Sequence, residues 1–257
     1  MRSSLQSRTI ELRNEDGLVF DGYRASAPSE AGVRLLLLPE MFGLTPAMCE
    51  AAEAFAADGY TTLVPNLFWR CRANPGVLAY EGSERQTAFE RLQALDLDVA
   101  VEDIEHAAVD LSAAPGEERP VVAIGHCIGG RLALLALPRT RLAGAVSYYG
   151  LGISKQGEAL ARLGKPAQLH YGLADEHVPM AEVEAVISLA GQNPSVAIHC
   201  YDKAGHSFCN PYRPMYDPAA AALVRERTMK FLGEMAQVGR AEGRPPADGG
   251  DLRGRQT

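Results

Sequence analysis

Residues 120–137 read P-V-V-A-I-G-H-C-I-G-G-R-L-A-L-L-A-L. Val121–Ile124 is a short apolar run rich in β-branched residues, the pattern of a buried strand. Gly125-His126-Cys127-Ile128-Gly129-Gly130 is a tight turn flanked by glycine, and Arg131–Leu137 reads as a buried helix. Strand, G-x-C-x-G and helix together present a thiol on a strained strand-to-helix turn. Cβ atoms at Gly125 and Gly129 would crowd the packing of strand on helix. A cysteine suits such a position, because its thiolate is a strong nucleophile and a helix N-terminus favours it. The plainer reading is a buried cysteine in a glycine-rich turn.

Working outward, Thr9–Leu12 and Leu18–Tyr23 alternate and predict a hairpin around Asn14–Gly17. Val33–Leu38, Tyr60–Val64, Leu142–Tyr148, Ala167–Tyr171 and Val196–Tyr201 read as strands. Helices are expected over Pro46–Ala57, Glu84–Leu111 with a break near Asp96, Met180–Ala190 and Ala219–Gln237. Trp69–Ser83 is irregular. Alternation of strand and helix from Val33 onward predicts an α/β fold, with a mostly parallel central sheet and helices on both faces. Residues 1–237 read as one domain, and the Gly-, Pro- and Arg-rich segment 238–257 as a disordered tail.

The chain has 257 residues with a formal net charge of −7 and no block of basic residues. Nucleic acid and anionic membrane surfaces are therefore not expected partners. The polar N-terminus and the lack of a long apolar run point to the cytoplasm. Five cysteines (49, 71, 127, 200 and 209) form no C-x-x-C pair, which argues against a disulfide framework, a structural zinc site and a redox role for Cys127.

Ligands of open α/β sheets bind at the carboxyl ends of the strands. Glu40, Cys127, Asp175 and His206 all fall there. A single aspartate before a helix is usually an N-cap, and a single loop histidine is usually a packing residue. Nucleophile, acid and histidine in that chain order are the order of the α/β-hydrolases, which points to Cys127, Asp175 and His206 as a triad. His177 beside Asp175 reads as a decoy, and His126 merely flanks the nucleophile.

The chain resembles the dienelactone hydrolases, or carboxymethylenebutenolidases. The matching pieces are P-E-M-F-G at 39–43, D-G-Y at 58–60, V-P-N-L-F at 64–68 and G-H-C-I-G-G at 125–130. A-V-S-Y-Y-G at 145–150, H-Y-G-L-A-D-E-H-V-P at 170–179 and A-G-H-S-F at 204–208 complete the set. The resemblance implies an α/β-hydrolase fold and a monomer that opens a cyclic enol-lactone with water, without metal or cofactor. Cys127 becomes the nucleophile, His206 the base and then the acid, and Asp175 the group that orients it. Glu40 matches a glutamate that contacts the resting thiol. The backbone N–H groups of Met41 and Ile128 are expected to form the oxyanion hole. Tyr148 matches an active-site tyrosine, and Arg85 the first of two arginines that bind the substrate carboxylate. The second falls on Asn210, with Arg213 close by; Phe89 and Leu92 stand where the family has tyrosine and tryptophan. A neutral amide holds a carboxylate less firmly than an arginine fork. An esterase or thioesterase for a different small ester therefore stays open, as does a non-catalytic ligand-binding member of the fold.

Overall fold

Strand β3 (Arg34–Leu38) is buried at every residue, and its side chains alternate between two cores. Leu36 and Leu38 join one, Leu35 and Leu37 the other. This is the two-residue period of a strand covered on both faces. The computed structural model describes residues 5–29, 31–71, 76–114 and 117–242.

The chain opens with an antiparallel hairpin of β1 (Gln6–Arg13) and β2 (Val19–Ser26). After β3 come α1 (Pro46–Ala57), with proline in its first turn, and β4 (Thr62–Pro65). Then follow α2 (Gly82–Gln93) and α3 (Leu97–Ser112). The predicted break lies between them: Asp96 Oδ1 accepts the N–H groups of Asp98 and Val99 at 3.0 and 3.2 Å. That satisfies orphan donors and starts a new helix. A minimal two-residue pair, β5 (Ala113–Ala114) with β6 (Glu117–Glu118), leads to β7 (Val121–His126) and α4 (Ile128–Ala136). Next are β8 (Gly144–Tyr148), a 3₁₀ turn at Ile153–Gln156 and the short α5 (Glu158–Ala161). The chain continues through β9 (Ala167–Gly172), α6 (Met180–Ala190), β10 (Val196–Tyr201) and α7 (Pro218–Glu242).

Eight strands form one sheet in the order β1-β2-β4-β3-β7-β8-β9-β10. The pairs from β4 to β10 are parallel, and β1 and β2 add antiparallel at one edge. Residues of α3, α4 and α6 pack in one core, and residues of α1 and α7 in the other. Helices thus cover both faces, as right-handed parallel crossovers require. Among the described residues, no helix is long and apolar enough to cross a membrane.

Two expectations shift. Helix α4 starts at Ile128, directly after Cys127, not at Arg131. Helix α7 runs on to Glu242, so residues 238–242 are helical where a disordered tail was expected; residues 243–257 lie outside the described residues. The one glycine in 238–242 costs a helix about 1 kcal/mol, too little to end it.

Candidate active site

The register of the parallel strands sets the site. Leu38 pairs with Gly125, His126 with Tyr148, and Tyr148 with His170. The segments leaving β3, β7, β8 and β9 therefore emerge side by side at one sheet edge.

Cys127 is the N-cap of α4, at φ 57° and ψ −118°. A side chain in that region stores of order 1–3 kcal/mol of strain. The flanking glycines make the turn possible. A Cβ on Gly125 would lie 2.0 Å from the Gly129 carbonyl oxygen, and one on Gly129 would lie 2.2 Å from the Leu38 oxygen. Among the described residues, Tyr149 and Ser207 are the other non-glycine residues with positive φ, at 43° and 62°. One follows β8 and the other follows His206, so the backbone strain gathers around the thiol.

Asp175 does two jobs at once. Its Oδ1 accepts the N–H groups of His177 and Val178 at 2.7 and 3.0 Å, and its Oδ2 accepts Nδ1–H of His206 at 2.8 Å. The turn-capping bonds and the bond to His206 are thus served by separate oxygens. The loops after β9 and β10 lie close because residue 172 is glycine; a Cβ there would sit 2.2 Å from the Ala204 oxygen. Burial alone would lower the His206 pKa. The negative charge and hydrogen bond of Cys127, and the bond from Asp175, outweigh burial and raise it to about 10. His206 is therefore imidazolium at neutral pH, placed against the thiol.

Cys127 and His206 line a cavity of about 170 Å³ together with Glu40, Met41, Arg85 and Arg213. Larger clefts of about 280 and 310 Å³ lie elsewhere, and neither contains the thiol. Phe89 and Leu92 form apolar wall. The Arg85 guanidinium lies 5.0 Å over the Phe89 ring. Arg213 lies 4.8 Å over Tyr80 and 5.4 Å over Phe42, which turns it inward. Met41 lines the cavity with Cys127, and Ile128 follows Cys127 as the first residue of α4.

Other expected residues stand differently. Glu40 is 3% exposed, and its hydrogen bonds go to Ser207 Oγ at 3.0 Å and Asn210 Nδ2 at 3.2 Å, not to the thiol. Asn210 does not line the cavity. Its amide donates to Glu40 and to the Tyr80 hydroxyl at 3.1 Å, and its oxygen accepts from Tyr212 N–H. With donor and acceptor both used, it has little to offer a substrate. Tyr148 also faces away: its hydroxyl pairs with Thr228 on α7 at 2.8 Å, and it lines the 280 Å³ cleft. The next residue, Tyr149, lies against His206 instead, ring centroids 5.2 Å apart, with its hydroxyl on His126 Nδ1 at 2.9 Å.

His177, read as a decoy, lines the cavity and packs edge-on to His206 at 4.9 Å. Partial burial and then the His206 charge lower its pKa, so it is neutral at pH 7. The turn that Asp175 caps curls the chain back over the site; the D-x-x-V spacing of that turn was the available signal. Leu151 and Ser207, also in the lining, carried no such signal. Burial raises the Cys49 thiol to about 11 and Cys209 well above its ordinary range, so both stay protonated at neutral pH.

A family model described as the dienelactone hydrolase family matches residues 20–236. The carboxymethylenebutenolidase of Pseudomonas putida is 30% identical over 227 residues, 88% of this chain and 96% of that protein. Carboxymethylenebutenolidase 1 of Cupriavidus pinatubonensis is 28% identical over 223 residues, 87% of this chain and 95% of that one. Among solved structures, a Klebsiella pneumoniae protein provisionally assigned as a dienelactone hydrolase superposes with a TM-score of 0.77 at 20% identity. The match covers 90% of this chain and all of that one.

Proposed function

This chain belongs to the dienelactone hydrolase family, whose members are carboxylic ester hydrolases, and from its site we propose a cysteine-dependent hydrolase that opens a small anionic enol-lactone. The observation that carries the reading is Cys127 on its strained turn, with His206 beside it held by Asp175 at 2.8 Å. The Cys127 thiolate attacks the lactone carbonyl carbon. The oxygen that gains charge is received by the N–H groups of Met41 and Ile128. The carbon–oxygen bond of the ring then breaks, His206 gives its proton to the departing enolate, and a thioester on Cys127 remains. Neutral His206 next takes a proton from water, the hydroxide adds to the thioester, and the acid leaves as the thiolate returns. Asp175 keeps the imidazole turned the right way throughout.

Arg85 and Arg213 supply the positive charge for a substrate carboxylate, and Arg213 serves where Asn210 does not. Phe89 and Leu92 suit the flat apolar part of the substrate. The same reading has the protein act as a cytoplasmic monomer on a small molecule.

The test is hydrolysis of a dienelactone followed by its loss of ultraviolet absorbance, with Cys127→Ala as control. A thioester adduct on Cys127 seen by mass spectrometry is expected; turnover in the Ala variant would remove the nucleophile from the scheme. The engagement of Asn210 with Glu40 favours a second reading, a hydrolase for a different small ester. A panel of lactones and aryl esters separates the two.

A further inference from the structure

Arg91 of α2 is 3% exposed, yet it does not line the Cys127 cavity. It borders a separate cleft with Phe68 and Asp103, and its guanidinium stacks 4.2 Å over the Phe68 ring. Its fork grips backbone. Nε donates to the Met41 carbonyl oxygen at 2.7 Å, Nη2 donates to the same oxygen, and Nη1 donates to the Gly76 oxygen at 2.7 Å.

The Met41 carbonyl occupies a sensitive place. Gly43 N–H bonds to the Glu40 oxygen at 3.0 Å, closing a tight turn over residues 40–43. Met41–Phe42 is the central peptide of that turn. Its orientation is what distinguishes type I from type II turns, so it is the peptide most easily flipped. In a trans peptide the C=O and N–H point opposite ways. Holding the Met41 oxygen on the Arg91 side therefore keeps an electron-rich carbonyl out of the cavity and points the Phe42 N–H of the same peptide the other way; the Met41 N–H belongs to the preceding peptide, joined to it at the Met41 Cα, so fixing one restrains the other. Gly43, at φ +81°, lies close to the guanidinium; a Cβ there would meet Arg91 Nη2 at 3.2 Å.

We infer that Arg91 is a positioning residue: its guanidinium locks the Met41–Phe42 peptide so that the 40–43 turn presents N–H groups, not a carbonyl, to the oxyanion formed at Cys127. The inference rests on the oxyanion role proposed above for Met41. Burial lowers the Arg91 pKa to about 10, which leaves it charged at neutral pH. A charged donor makes a stronger hydrogen bond than a neutral one, and a guanidinium fork constrains direction as well as distance. Lysine at this position keeps the charge but can direct only a point contact at the oxygen.

The experiment compares wild type, Arg91→Lys and Arg91→Met on p-nitrophenyl acetate and on its thiono analogue, with sulfur in place of the carbonyl oxygen. Acylation of Cys127 is timed by the burst of nitrophenol, and folding is checked by thermal melting. Sulfur accepts hydrogen bonds weakly, so the thiono ester draws little on an oxyanion hole. Removal of one oxyanion donor costs about 10²–10³-fold, which bounds the effect of misplacing one. Arg91→Lys is expected to slow acylation by the oxygen ester about 10- to 100-fold with KM little changed, and the thiono ester much less. Added guanidinium should restore part of the rate in Arg91→Met. Equal losses on both esters, or no loss, in a variant that melts as wild type does would overturn the inference while leaving the cysteine mechanism intact. A wild type that forms no adduct on Cys127 would overturn the mechanism, and this inference with it.

Discussion

Replacing Arg213 by alanine should cost more on an anionic substrate than replacing Arg85. Arg213 is half-buried, stacked on Tyr80 and Phe42, with Nη1 3.5 Å from the Tyr80 carbonyl oxygen. It is already oriented, so little side-chain entropy is lost when a carboxylate arrives. Arg85 is exposed and reaches the cavity from the solvent side over Phe89. Two unit charges 4 Å apart attract by about 1 kcal/mol in bulk water and about 4 kcal/mol near a protein surface, before desolvation is deducted. A hydrogen bond to a charged group nets about 1.5–3 kcal/mol. Arg213→Ala should therefore lower kcat/KM for the anionic lactone roughly 10- to 150-fold. Arg85→Ala sits nearer the aqueous limit, about 5-fold, and its effect should fade at high ionic strength. The assay is kcat/KM for one anionic lactone and one neutral ester of similar shape, at low and at high salt. Neutral-ester rates should move little in either variant. A larger loss with Arg85→Ala, or equal losses on both substrates, would refute the assignment of Arg213 as the principal anchor.

Asp175→Asn should retain the turn, because an amide oxygen can still accept from His177 and Val178, while the imidazole loses its orientation; a fall in kcat of about 10²–10⁴-fold with an unchanged melting temperature is expected. Gly125→Ala should fail to fold or melt far lower, since its Cβ would overlap the Gly129 carbonyl at 2.0 Å, and thermal denaturation reads this directly. Burial lowers the pKa of His126 to about 4 and that of His170 well below its ordinary value. The unfolded chain therefore binds more protons, so stability is full above about pH 6.5 and falls with acidity, by about 1.4 kcal/mol per pH unit per histidine. Urea unfolding at pH 7 and pH 5 should show that loss; equal midpoints would contradict it. His206 is held at about 10 largely by the Cys127 charge, so the alkaline limb of kcat/KM should lie near pH 10 and move toward neutrality in Cys127→Ser, as a pH–rate profile would show.

The sheet and the meeting of Cys127, His206 and Asp175 were legible because both are written in local patterns. Val33–Leu38 and Val121–Ile124 are apolar runs that only a doubly covered strand can bury. Gly125, Gly129 and Gly172 mark the places where backbone approaches backbone. What the chain did not disclose depends on long-range contact. Asn210 sits four residues after His206 and looks available, but its partner Glu40 is 170 residues away. Tyr148 stands at a strand end, and only the pairing of β8 beside β7 decides that it turns toward α7 while Tyr149 meets His206. His177 looked spare until the Asp175 turn brought its ring onto His206.

Glu40 has a consequence for the end of the catalytic cycle. It is a nearly buried carboxylate that lines the same small cavity as Cys127. Hydrolysis at the thiol converts an uncharged ester group into a second carboxylate beside it. Two like charges in one confined site raise each other's energy. On the proposed reaction the opened acid would be a poorer ligand than the closed lactone, although both would carry the group assigned to the arginines. Turnover by that route would end with the product repelled from where it was made, and accumulating acid should inhibit only weakly.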